Sequence, residues 1–170
     1  DLLQEYDIHA GDVFFLPAGR IHSIGAGAFI AEIQQTSNIT YRIYDFNRCD
    51  DNGNPRELHT EMSKAAIDYT VLPDYRTYYD AQPDAQTQLV SCRYFTTSLC
   101  KLTKPYNMEL AGLDSFVILI CTKGNGSVTD SDGNSIIVRQ GESILVPATV
   151  KGLNIVPETE LEILSSWIVE

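Results

Sequence analysis

The sequence feature that most restricts the fold is a spaced set of turn-forming residues that ends in a histidine. The set has the pattern G-x5-P-x-G-x2-H and consists of Gly11, Pro17, Gly19 and His22. Proline fixes φ and glycine tolerates positive φ, so we expect the chain to reverse after an apolar strand over residues 13–16. His22 then lies early on the returning strand. The pattern predicts a strand-turn-strand unit that carries a potential metal ligand.

Two alternating segments follow and contain a carboxylate and an arginine. Residues 28–35 place Glu32 on the same face as isoleucine, and residues 39–46 contain Arg42. If residues 36–38 form the turn between two strands, Glu32 and Arg42 lie opposite one another, at the roughly 5 Å Cβ separation of a cross-strand pair. A longer connection would break this pairing. An ordinary salt bridge on a sheet surface is the alternative interpretation.

The segments LPAGRIHSIG and AEIQQTSNITYRIYDFNR, with RELH beginning at Arg56, resemble the corresponding regions of type I mannose-6-phosphate isomerases. Those enzymes are zinc-dependent cupins, a superfamily of small β-barrels, and interconvert mannose 6-phosphate and fructose 6-phosphate. The resemblance implies that His22 is a Zn²⁺ ligand and that Arg42 stabilises the reacting sugar oxygens. It implies that Glu32 is an active-site carboxylate, and that a phosphorylated hexose is the substrate.

Two departures from the family pattern affect these expectations. Ala26 stands where the cupin motif has an asparagine. The family's other zinc ligands, a Gln-x-His pair and a glutamate, come from a preceding segment, and residues 1–10 contain no Gln-x-His. We therefore expect a C-terminal half that is inactive alone and has the missing N-terminal half of the same protein as its partner. Unpaired strand edges of a half barrel predict self-association.

The remainder of the chain predicts one helix, a linker and a second β domain. Apolar spacing predicts a helix over residues 56–69, and residues 72–88 have no regular period. From Leu89 onward, alternating runs and turn residues predict short strands over 90–104, 114–122, 126–130, 135–139, 143–146, 152–156 and 161–169. A hairpin is expected at residues 132–134.

The G-x5-P spacing recurs at Gly141 and Pro147 without a following histidine, which predicts a second, metal-free cupin barrel. The predicted fold is mainly β: a complete C-terminal cupin-type (jelly-roll) barrel plus part of a preceding cupin, with one short helix between. Residues 1–50 are expected to be the C-terminal part of the metal-binding cupin. Residues 51–87 would form the helix and linker, and residues 88–170 the second cupin.

Charge and cysteine usage restrict the partners. The net charge of −11, with 12 basic residues against 23 acidic ones, argues against nucleic acid as a partner. The longest strongly apolar run, residues 116–121, is far shorter than the roughly 20 residues of a membrane span. Four cysteines without a C-x-x-C pair favour buried thiols in a reducing compartment, hence a cytoplasmic location: Cys49, Cys92, Cys100 and Cys121.

Two functions remain open from the sequence. The first is aldose-ketose isomerisation, in which Arg42 stabilises an enediolate because its guanidinium stays protonated. Glu32 is then a candidate for moving a proton or orienting the sugar. The alternative is a non-catalytic cupin module for sugar binding or oligomerisation, and zinc content distinguishes the two. A further metal signal, His59 between Glu57 and Glu61, is weak because such neighbours do not share a helix face.

Overall fold

The computed structural model describes residues 3–168, which contain one α-helix and seven β-strands. In chain order these are α1 Thr60–Ala66, β1 Gln86–Ser91, β2 Thr96–Leu102, β3 Tyr106–Glu109, β4 Val117–Asp130, β5 Ser135–Arg139, β6 Ser143–Val146 and β7 Gly152–Trp167. The chain divides into two compact units. The first unit comprises the residues up to Ile30 together with Gln34–Arg76, and the second comprises Ala31–Ile33 and the residues from Thr77 onward.

All seven strands lie in the second unit and form one antiparallel sheet. Its main path runs β1-β2-β7-β4-β5, with β3 added to β7 and β6 added to β4. The two long strands, β4 and β7, pair with each other along most of their length, and this pairing is interrupted by irregularities at 121–123 and 124–126. Because β-bulges bend a strand, each long strand pairs with different neighbours in its two halves. The first half of β4 pairs with β6 and its second half with β5. The first half of β7 pairs with β3 and its second half with β2.

The apolar core also lies within this sheet. Side chains alternate between buried and accessible along β4 and β7, as expected for strands with one face on a core. Every buried hydrophobic residue of the described range falls between Leu99 and Ile163. The residues of the core cluster are Cys100, Leu102, Met108, Leu110, Val117, Leu119, Cys121, Val128, Val138, Val146, Leu153, Ile155, Leu161 and Ile163.

The strand predictions for this region are confirmed in kind, with corrections to their bounds. The strands over 135–139 and 143–146 have the predicted limits. The predicted strand 90–104 is two strands, because the chain reverses where Cys92 N–H donates to Phe95 O at 3.0 Å. The predicted strands 114–122 and 126–130 are one continuous strand, β4, and the interruptions between them are bulges. The predicted strands 152–156 and 161–169 are likewise one continuous strand, β7. Residue 169 lies outside the described residues.

From residue 3 onward, the first unit has turns and one helix but no strand. The predicted strands over 13–16, 28–35 and 39–46 are not formed, and residues 3–59 have only isolated bridges at Phe14 and Cys49. An alternating sequence becomes a strand only when a neighbouring strand completes its ladder, and the described part of this unit offers none. Helix α1 is also shorter than predicted, because Ile67 is already extended.

Large apolar side chains of the first unit remain exposed. Phe29 is 86% exposed and Val71 is 84% exposed, and Ile39 and Tyr69 are also largely accessible. Exposed apolar groups in this number are unusual on a surface that faces only water. Among residues 3–168 there is no helix with the length and apolar character that crossing a membrane requires.

The cysteine prediction is confirmed in part. All four thiols are free. Cys100 and Cys121 are buried, as predicted, whereas Cys49 is exposed and Cys92 is partly accessible. Burial raises the pKa of the Cys100 thiol to about 11, so it is almost entirely protonated at neutral pH and chemically inert.

Candidate active site

The predicted turn before His22 is confirmed, and Gly19 fixes it against the end of the helix. Arg20 N–H donates to Pro17 O at 3.1 Å, and Gly19 has φ of +86°. Asp68 N–H donates to Gly19 O at 2.9 Å. A Cβ on Gly19 would lie 2.6 Å from Ala66 O, so both the backbone conformation and the close approach require glycine.

Arg20 anchors this turn by three polar contacts. Its Nη1 donates to Thr70 O at 2.7 Å and to the Tyr75 hydroxyl at 3.2 Å, and its Nη2 donates to Asp68 Oδ2 at 3.2 Å. The guanidinium carbon also lies 4.7 Å from the centre of the Tyr75 ring, a cation–π distance. The side chain is 11% exposed. Arg20 therefore has a structural role and is not available to a substrate.

His22 follows this anchored turn and is exposed. Its Nδ1 lies 3.1 Å from Arg20 O. When Nδ1 carries the proton it donates to that carbonyl, and Nε2 keeps a free lone pair. Metal-binding histidines typically have one ring nitrogen held in this way. His22 thus fits the role of one zinc ligand.

The described residues do not supply the other ligands of a zinc site. Residues 3–168 contain no group of three His, Cys, Asp or Glu side chains that could hold a metal ion. A catalytic zinc site needs three protein ligands and one open position. The described residues therefore do not form a catalytic zinc site by themselves.

Arg42 is fixed at its backbone and at its guanidinium. Its N–H donates to His59 Nδ1 at 3.1 Å, and its carbonyl accepts from His59 N–H at 2.7 Å. Its Nη1 donates to Glu57 O at 3.3 Å, and its Nε lies 3.7 Å from Asp45 Oδ1. These contacts hold a partly exposed cation in one orientation.

Asp45 is a buried carboxylate surrounded by three arginines, and the sequence analysis missed it. It is 6% exposed. Arg48 Nε donates to Oδ1 at 3.1 Å and Arg48 Nη2 also contacts it, while Arg56 Nε lies 3.3 Å from Oδ2. Together with Arg42, three guanidinium groups face one carboxylate, so the cluster keeps a net positive charge in an acidic protein. The R-x-x-D-x-x-R spacing from 42 to 48 is the sequence signal that could have found it.

The surroundings of Asp45 also set its protonation. Burial by itself raises the pKa of Asp45. The hydrogen bond and charge of Arg48, with the charges of Arg56 and Arg42, outweigh that effect and lower the pKa below its ordinary value. Asp45 is therefore ionised at neutral pH and acts as the shared counterion of the cluster.

Replacing Asp45 by asparagine should lower the free energy of unfolding at neutral pH. It should also make the free energy of unfolding depend less on pH in the acid range. Since the pKa of Asp45 is lowered in the folded state, its stabilisation is present above the unfolded value of about 3.9 and is lost as pH falls through the folded value. The gap between wild type and Asp45→Asn in denaturant midpoint should therefore close as pH falls from 7 to 2. Asp51→Asn, an exposed carboxylate on the neighbouring loop, is the matched control. A gap that stays constant with pH would contradict this account.

Glu32 is exposed and lies in Ala31–Ile33, which groups with the second unit, whereas His22 and Arg42 belong to the first. The two strands expected to carry the Glu32–Arg42 pair are not formed. Their absence removes the register on which that pairing depended. The role of Glu32 stays a prediction.

The bent antiparallel sheet and its core define the second unit as a cupin-type jelly roll. Residues 85–166 match the family model of the mannose-6-phosphate isomerase cupin domain. The crystal structure of mannose 6-phosphate isomerase from Bacillus subtilis is similar, with a TM-score of 0.60 and 25% identity over 76% of this chain and 40% of that chain. The architecture is therefore that of a cupin.

Within the cupin fold class, sequence similarity to curated relatives identifies the family of this chain. The mannose-6-phosphate isomerase of Streptococcus mutans is 33% identical over 169 residues, which are 97% of this chain and 51% of that protein. The mannose-6-phosphate isomerase ManA of Bacillus subtilis is 30% identical over 149 residues, which are 86% of this chain and 46% of that protein. The chain belongs to the mannose-6-phosphate isomerase family of cupins. It spans about half the length of these curated relatives.

Proposed function

We propose that this chain is part of a mannose-6-phosphate isomerase that interconverts mannose 6-phosphate and fructose 6-phosphate. The observation that carries the proposal is the extent of the similarity to the Streptococcus mutans enzyme, which covers 97% of the chain. The match therefore includes the first unit, with His22 and Arg42, as well as Glu32, and is not confined to the cupin domain at residues 85–166.

In this proposal Arg42 supplies positive charge at the reacting end of the sugar. Aldose-ketose isomerisation moves a proton between C2 and C1 and places negative charge on the sugar oxygens of an enediolate. Arg42 cannot give up its proton at working pH, so it stabilises that charge and does not serve as the base. Glu32 is proposed to move the proton or to orient the sugar. The positive charge around Asp45 also favours an anionic substrate against the net charge of −11.

His22 is proposed as one ligand of a zinc ion whose other ligands come from an N-terminal half of the same protein. The held Nδ1 and free Nε2 of His22 support this assignment. Bound zinc would supply positive charge that polarises the sugar oxygens. The term "extended protein" denotes this chain joined to the N-terminal half that is proposed here.

The domain arrangement and partners belong to the same proposal. Residues 1–50, together with the N-terminal half, would complete the metal-binding cupin. Residues 51–87 would form the helix and linker between the two cupins, and residues 88–170 would form the second, metal-free cupin. The exposed apolar side chains of the first unit support a covering partner. The chain alone would bury this surface by self-association, which sedimentation as a monodisperse monomer would contradict. A cytoplasmic location is proposed on the free thiols.

The test of this proposal compares zinc content and mannose 6-phosphate isomerisation in variants of the extended protein. His22→Ala should lose bound zinc and isomerase activity together. His9→Ala, which replaces another exposed histidine of the first unit, is the matched control and should keep both. A His22→Ala protein that retains a full equivalent of zinc would remove His22 from the metal site.

A further inference from the structure

We propose that His59 is a positioning residue for Arg42, holding its backbone through the imidazole Nδ1 so that the guanidinium meets the substrate in one orientation. The inference rests on the proposed function and adds a residue to it. Neither the family motif around His22 nor the expected roles of Arg42 and Glu32 involve this histidine. Its sequence neighbours Glu57 and Glu61 give only a weak metal signal, and the structure gives its imidazole a different partner, the Arg42 N–H.

The contact between His59 and Arg42 is a closed pair of hydrogen bonds across 17 residues of sequence. Arg42 N–H donates to His59 Nδ1 at 3.1 Å, and His59 N–H donates to Arg42 O at 2.7 Å. Because Nδ1 accepts, the imidazole is neutral and carries its proton on Nε2. The adjacent Glu57 carbonyl accepts from Arg42 Nη1 at 3.3 Å. Residues 57–59 therefore contact both ends of the arginine.

The position of His59 at the start of α1 shows that this contact is specific. His59 is the residue before the first turn, where side chains commonly accept a hydrogen bond from a free helix N–H. Its side chain makes no such bond, although its carbonyl accepts from Ser63 N–H at 2.8 Å. The imidazole instead faces Arg42, and its side chain is only 18% exposed. Helix capping does not account for a histidine here.

A neutral acceptor also suits the charges around it. The groups near His59 are Glu57 Oε2, 3.9 Å from Nε2, and the Tyr41 ring, whose centre is 6.1 Å from the imidazole centre. Arg42 is one of the three arginines around Asp45. A lysine or arginine at position 59 would add a further cation to this cluster and could not accept from Arg42 N–H.

The test uses three substitutions of His59 in the extended protein. His59→Asn keeps an acceptor, since Oδ1 occupies roughly the position of Nδ1. His59→Gln moves the acceptor to roughly the position of Nε2, and His59→Leu removes it. We expect asparagine to stay within about threefold of wild type, and glutamine and leucine to lower kcat by about 10- to 100-fold with little change in KM, because a misplacement of about 1 Å can cost that much.

Two outcomes overturn the inference on activity. Full kcat in His59→Gln and His59→Leu would show that the acceptor is not needed. Equal losses in His59→Asn and His59→Gln would show that its position does not matter, and this comparison between two polar variants stands even if the leucine variant does not fold. Arg42→Ala separates the two hypotheses: if it loses activity while the His59 variants keep it, only the inference fails, and an inactive wild-type protein means that the proposed function fails.

The tautomer of His59 provides a readout that does not depend on activity. In the ¹⁵N-labelled extended protein, the imidazole should carry its proton on Nε2, with Nδ1 showing the ¹⁵N shift of a hydrogen-bond acceptor. The Arg42 amide should move in the spectrum of His59→Gln and stay near its wild-type position in His59→Asn. A proton on Nδ1 in the wild-type protein would overturn the inference whatever the enzyme assay shows.

Discussion

Replacing Arg42 by alanine in the extended protein should lower kcat for mannose 6-phosphate by about 100- to 1,000-fold, the usual effect of removing one preorganised group that faces developing negative charge. The guanidinium is already oriented by Asp45 and by the Glu57 carbonyl, so it requires no rearrangement during the reaction. Arg42→Lys should recover only part of the loss, because an ammonium lacks the planar fork of donors.

The control for this experiment is Arg139→Ala. Arg139 lies on β5, is exposed, and pairs only loosely with Glu142, with Nη1 at 3.7 Å from Oε1. Its removal deletes the same charge from the protein at a site in the second unit, and it should leave kcat unchanged. If Arg42→Ala retained more than about a tenth of the wild-type kcat in a folded protein, Arg42 would not be the group that stabilises the enediolate.

The largest effect on stability is expected from Gly124→Ala. Gly124 lies in β4 at one of the irregularities of the β4–β7 pairing and has φ of +75°. An added Cβ would lie 2.0 Å from Glu160 O and 3.0 Å from Glu160 C, both backbone atoms of β7. Strain at positive φ costs about 1–3 kcal/mol and forced overpacking about 1–3 kcal/mol more, so the free energy of unfolding should fall by about 3 kcal/mol or more.

Gly133→Ala separates these two contributions. Gly133 has φ of +86° in the β4–β5 turn, and an added Cβ there meets no atom within 4 Å. It should therefore lose only the strain term, about 1 kcal/mol. Urea denaturation of both variants measures the difference. Equal losses would contradict the close backbone approach between β4 and β7.

In the second unit, the sequence correctly predicted the elements that depend only on residues close together in the chain. The turn at 132–134 and the strands 135–139 and 143–146 follow from neighbouring residues, and the structure has them at those positions. The sequence predicted two separate strands over 114–122 and 126–130, with Gly124 between them and Gly126 at the start of the second. Both glycines are bulge positions in one continuous strand, and a glycine in sequence does not distinguish a bulge from a turn.

In the candidate site, too, the sequence predicted the local turn but not the contacts between residues far apart in the chain. The turn that positions His22 was predictable because Pro17 and Gly19 determine their own backbone. The surroundings of Arg42 were not predictable, because Asp45 falls in a stretch whose alternation indicated a strand and His59 lies 17 residues away. The strands expected there require a neighbouring strand that alternation alone does not supply.

The rate at which the zinc-loaded extended protein converts mannose 6-phosphate to fructose 6-phosphate tests the central claim most directly. The account predicts turnover that is lost in His22→Ala and strongly lowered in Arg42→Ala, with His9→Ala and Arg139→Ala unaffected. A folded, zinc-containing extended protein without turnover would contradict it and would favour a cupin module that binds sugar or mediates oligomerisation.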